Sequence, residues 1–240
     1  MPSIATQLEQ VRKRIDKACE SAGRDPRSVT LLAVSKTFGP EAVIEAVQAG
    51  QRAFGENYVQ EGVEKIAALA RWAAEQPAPP ALQWHCIGPL QSNKSRPVAE
   101  HFDWVHSVDR LKIAQRLSEQ RPPELAPLQV CLQVNIDGGT NKSGVAPAEA
   151  LALALQVQEL PRLVLRGLMT VPEPSEDAAQ TLAVHQQARA LFDRLNASGR
   201  LHRPLDTLSM GMSADLEPAV AAGSTMVRVG TAIFGGRIRA

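Results

Sequence analysis

The chain has 240 residues, with 26 Lys and Arg against 25 Asp and Glu and a formal net charge of +1. That length suits one large core such as a (βα)8 barrel of ~250 residues. The charges are interspersed, and the absence of a basic face argues against nucleic acid or an anionic membrane as partner. Apolar runs fall well short of the ~20 residues of a membrane helix. The N-terminus lacks an apolar signal core, and Glu9, Asp16 and Glu20 argue against a transit peptide. Cys19, Cys86 and Cys131 are odd in number and far apart, without metal spacing, as expected of reduced thiols in a cytoplasmic protein. Cys86 and Cys131 lie in apolar runs, where cysteine acts as a small buried hydrophobe.

The chain opens on an amphipathic helix with Ile4, Leu8, Val11, Ile15 and Cys19 on one stripe. The near-continuous apolar run from Val29 to Val34 then reads as a strand buried on both faces, ending at Ser35-Lys36-Thr37. Pro40 opens the next helix and Gly50 closes it. The same unit recurs. Strands are expected at 52–56, Leu82–Gly88, Phe102–His106, Leu128–Val134, Leu163–Met169, Thr207–Met210 and Met226–Val229. Helices fall between them: one carries Val63, Ile66 and Leu69, a short one runs from Gln91 to Glu100, and Asp109 caps the next. Pro147 opens an Ala-rich helix, a long one spans about Asp177 to Asn196, and a brief one ends at Gly223. Eight strand–helix units of uniform composition predict a single (βα)8 domain over residues 1–240 with an extra N-terminal helix. An open doubly wound sheet is the alternative, weakened because no G-x-G-x-x-G follows the first strand.

In a barrel, the residues just after each strand gather at one rim, where such folds keep their chemistry. Lys36 follows the first strand, Asn57 and Tyr58 the second, Lys94 the third and Lys142 the fifth. Position alone leaves two readings of Lys36: a functional amine, or a charge marking where the strand surfaces. Gly211 with Ser213, and Gly230 with Thr231, follow strands seven and eight, the usual place for a phosphate site in barrels. Glycine lets backbone N–H groups approach an anion, and the hydroxyl adds a donor. The plainer alternatives are a helix cap at Ser213 and a turn at Gly230. Pro218 belongs in a first helical turn, so the helix is expected to begin after Ser213.

A rim lysine beside a phosphate site fits two chemistries: a Schiff base with a phosphorylated substrate, as in aldolases, or with the aldehyde of pyridoxal phosphate. Arg228 lies two residues before Gly230, so both face one side of the strand. Facing a pyridine nitrogen, an arginine would donate a hydrogen bond and keep that nitrogen unprotonated. Otherwise it is a charge paired at the barrel end.

The segments Val34-Ser-Lys36, Phe54-Gly-Glu-Asn57, Trp84-His-Cys-Ile-Gly-Pro-Leu-Gln-Ser-Asn-Lys94, Leu208-Ser-Met-Gly-Met-Ser213 and Val227-Arg-Val-Gly-Thr-Ala-Ile-Phe-Gly235 resemble the pyridoxal phosphate homeostasis protein family. That family is similar to the barrel domain of alanine racemase, the fold-type III group of pyridoxal phosphate proteins. The resemblance covers nearly the whole chain. It implies that Lys36 is the Schiff-base lysine, Asn57 a cofactor contact, Ser213, Gly230 and Thr231 the phosphate holders, and Arg228 the partner of the pyridine nitrogen. Cys86 stands where the family has a bulkier apolar residue, a change of packing rather than of the site.

The expected function is pyridoxal 5′-phosphate binding in intracellular homeostasis of that cofactor, without turnover and with no catalytic or metal-binding residue. An amino-acid racemase and a cofactor-free Schiff-base aldolase are the alternatives. Against the racemase, proton transfer on two faces needs two acid–base groups. The alanine racemase relatives draw the second from a tyrosine in a C-terminal domain, whereas this sequence ends at Ala240, soon after the eighth strand, and holds one tyrosine, Tyr58. His85 is read as a hydrogen-bonded core histidine ahead of a catalytic base, Lys94 as a rim lysine that could serve as a second acceptor, and Tyr58 as a packing residue or a cofactor contact. The expected state is a cytoplasmic monomer whose partners are the cofactor and, as an open option, apo-enzymes that use it.

Overall fold

The computed structural model describes residues 3–140 and 142–236. Each apolar run becomes one strand of a closed, all-parallel barrel in sequence order. The strands are β1 (Thr30–Val34), β2 (Ala53–Glu56), β3 (Gln83–Cys86), β4 (Trp104–Val108), β5 (Leu128–Val134), β6 (Leu163–Thr170), β7 (Thr207–Ser209) and β8 (Met226–Val229). Closure is visible at Ala33, which stands opposite Phe54 of β2 on one side and Val229 of β8 on the other. The open-sheet alternative therefore falls.

The helices are α1 (Ile4–Ser21), α2 (Pro40–Gln48), α3 (Val59–Ala74), α4 (Ser95–His101), α5 (Leu111–Gln120), α6 (Ala150–Val157), α7 (Ala178–Ala197), α8 (Leu216–Ala221) and α9 (Thr231–Phe234). The extra helix α1 forms because Ser3 caps it, accepting the Thr6 N–H, and because Leu8, Val11, Ile15, Ala18 and Cys19 make one buried stripe. Each large side chain in that stripe contributes ~1.5–3 kcal/mol of burial. It packs on α2, α8 and α9, so it braces the elements that follow the last two strands.

Alternation along the strands sorts the side chains. Val227 and Val229 join the large cluster between barrel and helices. Met226 packs with Leu32 and Ala53, and Trp104 with Cys131 and Met169, on the inward face. Both strand cysteines are fully buried, and burial pushes the Cys86 and Cys131 thiols up to about 12, so they remain protonated.

Three expected boundaries move. Phe102 ends α4, and the fourth strand starts at Trp104 because the Asp103 carboxylate is taken by the Trp84 N–H. Asp109 does not cap α5: its carboxylate is bound by the Arg110 guanidinium at 2.6 Å, and Arg110 holds the cap position without a side-chain bond. Helix α6 starts at Ala150 rather than Pro147, because Val145 pairs with Val134 and ties the preceding chain to β5.

Gly167 marks the tightest strand contact. A Cβ there would lie 1.6 Å from the Thr207 carbonyl oxygen of β7. Gly167→Ala is expected to cost ~3 kcal/mol or more of unfolding free energy, the upper range for overpacking. Gly236→Ala, with nothing within 4 Å of its added Cβ, is the control. Equal denaturation midpoints for the two variants would contradict this packing.

Candidate functional site

Lys36 leaves the end of β1, Asn57 follows β2, and Arg228 lies on β8. Ser213 sits in the turn before α8, which starts at Leu216 with Pro218 in its first turn, as the sequence predicts. Gly230 is the N-cap of α9 and Thr231 its first residue. All six line one cavity of about 380 Å³, within the ~300–1,000 Å³ of ordinary small-molecule clefts. Val34, Phe38, Ile87, Val171 and Met212 supply its apolar lining. Val34 ends β1 and the other four follow strands one, three, six and seven, and nothing in their residue type distinguishes them from core residues.

Arg228 is only 4% exposed. Its Nη1 donates to Ser209 Oγ at 2.8 Å and its Nη2 to the Thr170 carbonyl at 2.8 Å. Burial pulls its pKa down to about 10, and the nearby Asp215 charge opposes that shift, so the guanidinium stays charged at neutral pH. Behind it runs a ladder of buried polar groups. Ser209 Oγ is 3.0 Å from His106 Nδ1, and His106 Nε2 is 2.9 Å from His85 Nδ1. His85 stacks on Trp104, and the Arg166 guanidinium covers that indole 4.7 Å from its centroid. Burial pushes His85 down to about 3, and burial with the neighbouring His85 and Arg228 holds His106 well below the usual imidazole range. Both imidazoles are therefore neutral. His85 is a core histidine, as the sequence predicts.

The turn carrying Ser213 is gripped from three sides. The Met212 N–H donates to Asp215 Oδ1 at 2.7 Å, and the same carboxylate is 2.8 Å from His185 Nε2 of α7. Arg14 of α1 donates to the Ser213 carbonyl at 3.0 Å and makes two bonds to Glu217. Arg14 is 199 residues from Ser213 in the chain, so sequence inspection offered no signal for it.

Asn57 is held by close backbone approach. A Cβ on Gly88 would come within 2.2 Å of the Asn57 carbonyl oxygen. Its side-chain Oδ1 is buried with no hydrogen-bond partner among the described residues. Gly230 likewise leaves room: a Cβ there would meet the Val34 carbonyl at 3.0 Å.

The remaining rim candidates stand apart. Lys94 ends a short 3-10 turn and Tyr58 is the N-cap of α3, 53% exposed; neither is among the described residues lining the cavity. Lys142 pairs with Asp137 and Glu173 instead. Among the described residues no group of three His, Cys, Asp or Glu side chains is arranged to hold a metal ion.

Residues 6–238 match the family model of the alanine racemase N-terminal domain. The pyridoxal phosphate homeostasis protein of Pseudomonas aeruginosa is 56% identical over 237 residues, 99% of this chain and 97% of that one. A protein of unknown function from Bifidobacterium adolescentis has a crystal structure that superposes with a TM-score of 0.89 at 38% identity, covering 96% of this chain and 94% of that one. PipY of Synechococcus elongatus PCC7942, solved with PLP bound, superposes with a TM-score of 0.82 at 40% identity, covering 97% and 100% of the two chains. The barrel, the rim lysine and these likenesses agree: the chain belongs to the pyridoxal phosphate homeostasis protein family, built on the alanine racemase N-terminal domain.

Proposed function

We propose that this chain binds pyridoxal 5′-phosphate and holds it on Lys36 as a store for the cell, without catalytic turnover. The observation that carries this reading is the donor set of one cavity: Lys36, a charged arginine fixed against the barrel interior, and two hydroxyl residues beside glycines at the ends of strands seven and eight. The residues fit the group. Its phosphate needs N–H and O–H donors, its ring nitrogen a donor, and its ring substituents an acceptor such as the unpartnered Asn57 Oδ1.

When bound, the aldehyde of this cofactor condenses with a primary amine: a C=N bond forms and the carbonyl oxygen leaves as water. Lys36 is that amine. Ser213 and Thr231 donate their hydroxyls to the phosphate, and the first residues of α9 add N–H groups that have no intrahelical partner. Arg228 donates to the ring nitrogen and cannot hand over its proton, so the ring stays a weak electron sink. The PLP in the PipY structure, at 40% identity over 97% of this chain, supports this assignment.

The store reading rests on the cavity's acid–base inventory. Among the described residues lining it, Lys36 is the one amine; the cavity has no carboxylate, imidazole or phenol among those residues, and Arg228 stays charged. Tyr58, the single tyrosine, is largely exposed outside it. The reading extends to a cytoplasmic monomer, with transfer of its cofactor to apo-enzymes left as an open option. No described helix is long and apolar enough to cross a membrane.

Borohydride reduction of protein loaded with pyridoxal phosphate, followed by peptide mapping, is expected to place the label on the Lys36 peptide; label confined to Lys94 or Lys142 overturns the assignment. Replacing Ser213 and Thr231 together with alanine removes two donors to an anion, each worth ~1.5–3 kcal/mol. Affinity for pyridoxal phosphate is expected to fall at least ~10-fold in equilibrium titration, and unchanged affinity would place the phosphate elsewhere. Incubation with L-alanine or L-serine in deuterated water tests the absence of turnover. With no tyrosine among the described residues that line the cavity, α-deuterium should enter ~10²–10⁴-fold more slowly than in a racemase. Deuterated D-isomer appearing at enzymatic rates would make the protein a racemase.

A further inference from the structure

The two residues flanking Lys36 are held by groups that do not line the cavity. On one side Ser35 is fully buried. Its carbonyl accepts from Lys65 Nζ at 2.8 Å, and its hydroxyl donates to Glu56 Oε1 at 2.5 Å. On the other side the Thr37 N–H donates to Glu61 Oε1 at 2.6 Å. Thr37 has φ 69°, a left-handed conformation that a β-branched residue adopts only when its surroundings impose it. Both arms meet at Lys65. Its ammonium pairs with Glu56 Oε1 at 2.6 Å and with Glu61 Oε1 at 2.9 Å, and its side chain is 3% exposed.

An ammonium has three donors, and here all three are used: one carbonyl and two carboxylates. Burying such a pair costs several kcal/mol per ion, and apolar residues of the same volume would serve stability as well or better. The Glu56 site is costly in a second way, because its Oε2 is buried without a hydrogen-bond partner among the described residues. Burial raises the Glu56 carboxyl pKa, and Lys65 opposes that rise. Stability alone therefore does not account for the cluster. What it does account for is the turn Ser35-Lys36-Thr37, fixed on both sides by one charged centre on β2 and α3.

We propose that Lys65, with Glu56 and Glu61, is a positioning centre that sets the backbone turn presenting the Lys36 amine to the aldehyde of the bound ligand. This rests on the reading of Lys36 given above. None of the three touches the cavity, so they act through Lys36 and leave the phosphate and ring contacts alone.

The test separates covalent capture from recognition. Pyridoxal phosphate reports capture, through visible absorbance and borohydride label on Lys36. Pyridoxine 5′-phosphate, which carries a hydroxymethyl group in place of the aldehyde, reports recognition alone through its dissociation constant. Glu61→Ala removes the Thr37 anchor and one partner of Lys65; Glu61 is part-exposed and lies on a helix, so this variant keeps its fold. Lys65→Met combined with Glu56→Gln removes the centre without stranding a buried charge, and thermal melting checks its folding. Capture by Glu61→Ala is expected to slow about tenfold, the loss of one charge-assisted hydrogen bond, while pyridoxine 5′-phosphate affinity stays within about twofold. The double variant should show the same split. Equal weakening toward both ligands, or unchanged capture, overturns the positioning role while leaving Lys36 as the acceptor. Failure of the unmutated protein to label Lys36 overturns the underlying reading, and the positioning role falls with it.

Discussion

A guanidinium buried inside a barrel is the constraint that the rest of this site has to satisfy. Taking Arg228 out of water costs several kcal/mol unless its donors find acceptors. Two of them do, on neighbouring strands: Ser209 Oγ of β7 and the Thr170 carbonyl of β6. No carboxylate among the described residues reaches it directly, and Asp215 balances it only through space. The barrel interior is correspondingly polar. His106 and His85 continue the hydrogen-bonded ladder inward from Ser209, where an ordinary barrel interior holds branched apolar side chains.

Ser209 Oγ accepts from Arg228 and keeps a second lone pair and its own proton for His106 Nδ1. The ladder can therefore run in either direction: Ser209 donating toward His106 and His85, or both imidazoles donating back toward Ser209. In both orders His85 Nε2 is buried with no partner among the described residues. The ladder is anchored by a permanent charge at one end and closed by a stack on Trp104 at the other. It holds Arg228 in place through Ser209.

The site was legible in the sequence to the extent that its residues sit at strand ends. Lys36, Asn57, Ser213, Arg228, Gly230 and Thr231 meet in one cavity because the barrel brings the carboxyl ends of all strands to one rim, and the strands announced themselves as apolar runs. What was not legible depends on long-range contact. Arg14 looks like any exposed helical arginine until α1 packs on α8 and sets it against Ser213 and Glu217. Glu61 and Lys65 stand four apart on α3, a spacing that ordinarily marks an exposed surface pair, but Lys65 is buried because α3 lies over the end of β2. The three displaced boundaries share one cause. Asp103, Asp109 and Val145 each had a competing partner, respectively the Trp84 N–H, the Arg110 guanidinium and β5, that propensity cannot weigh.

The neutral histidines bear on why such a cavity would hold a cofactor rather than use it. Burial keeps His85 uncharged down to about pH 3, and His106 titrates well below the usual imidazole range. The fixed charge at the end of this ladder is thus the guanidinium of Arg228 across the physiological range. In the proposed pose, a guanidinium that does not give up its proton would leave the ring nitrogen unprotonated, and electron density released at the amine end of the ligand would be poorly absorbed by the ring. On the proposed reading, Arg228 would serve two ends at once: it would bind the ring by a hydrogen bond and, by keeping the ring nitrogen unprotonated, restrain the chemistry that the bound aldehyde would otherwise support.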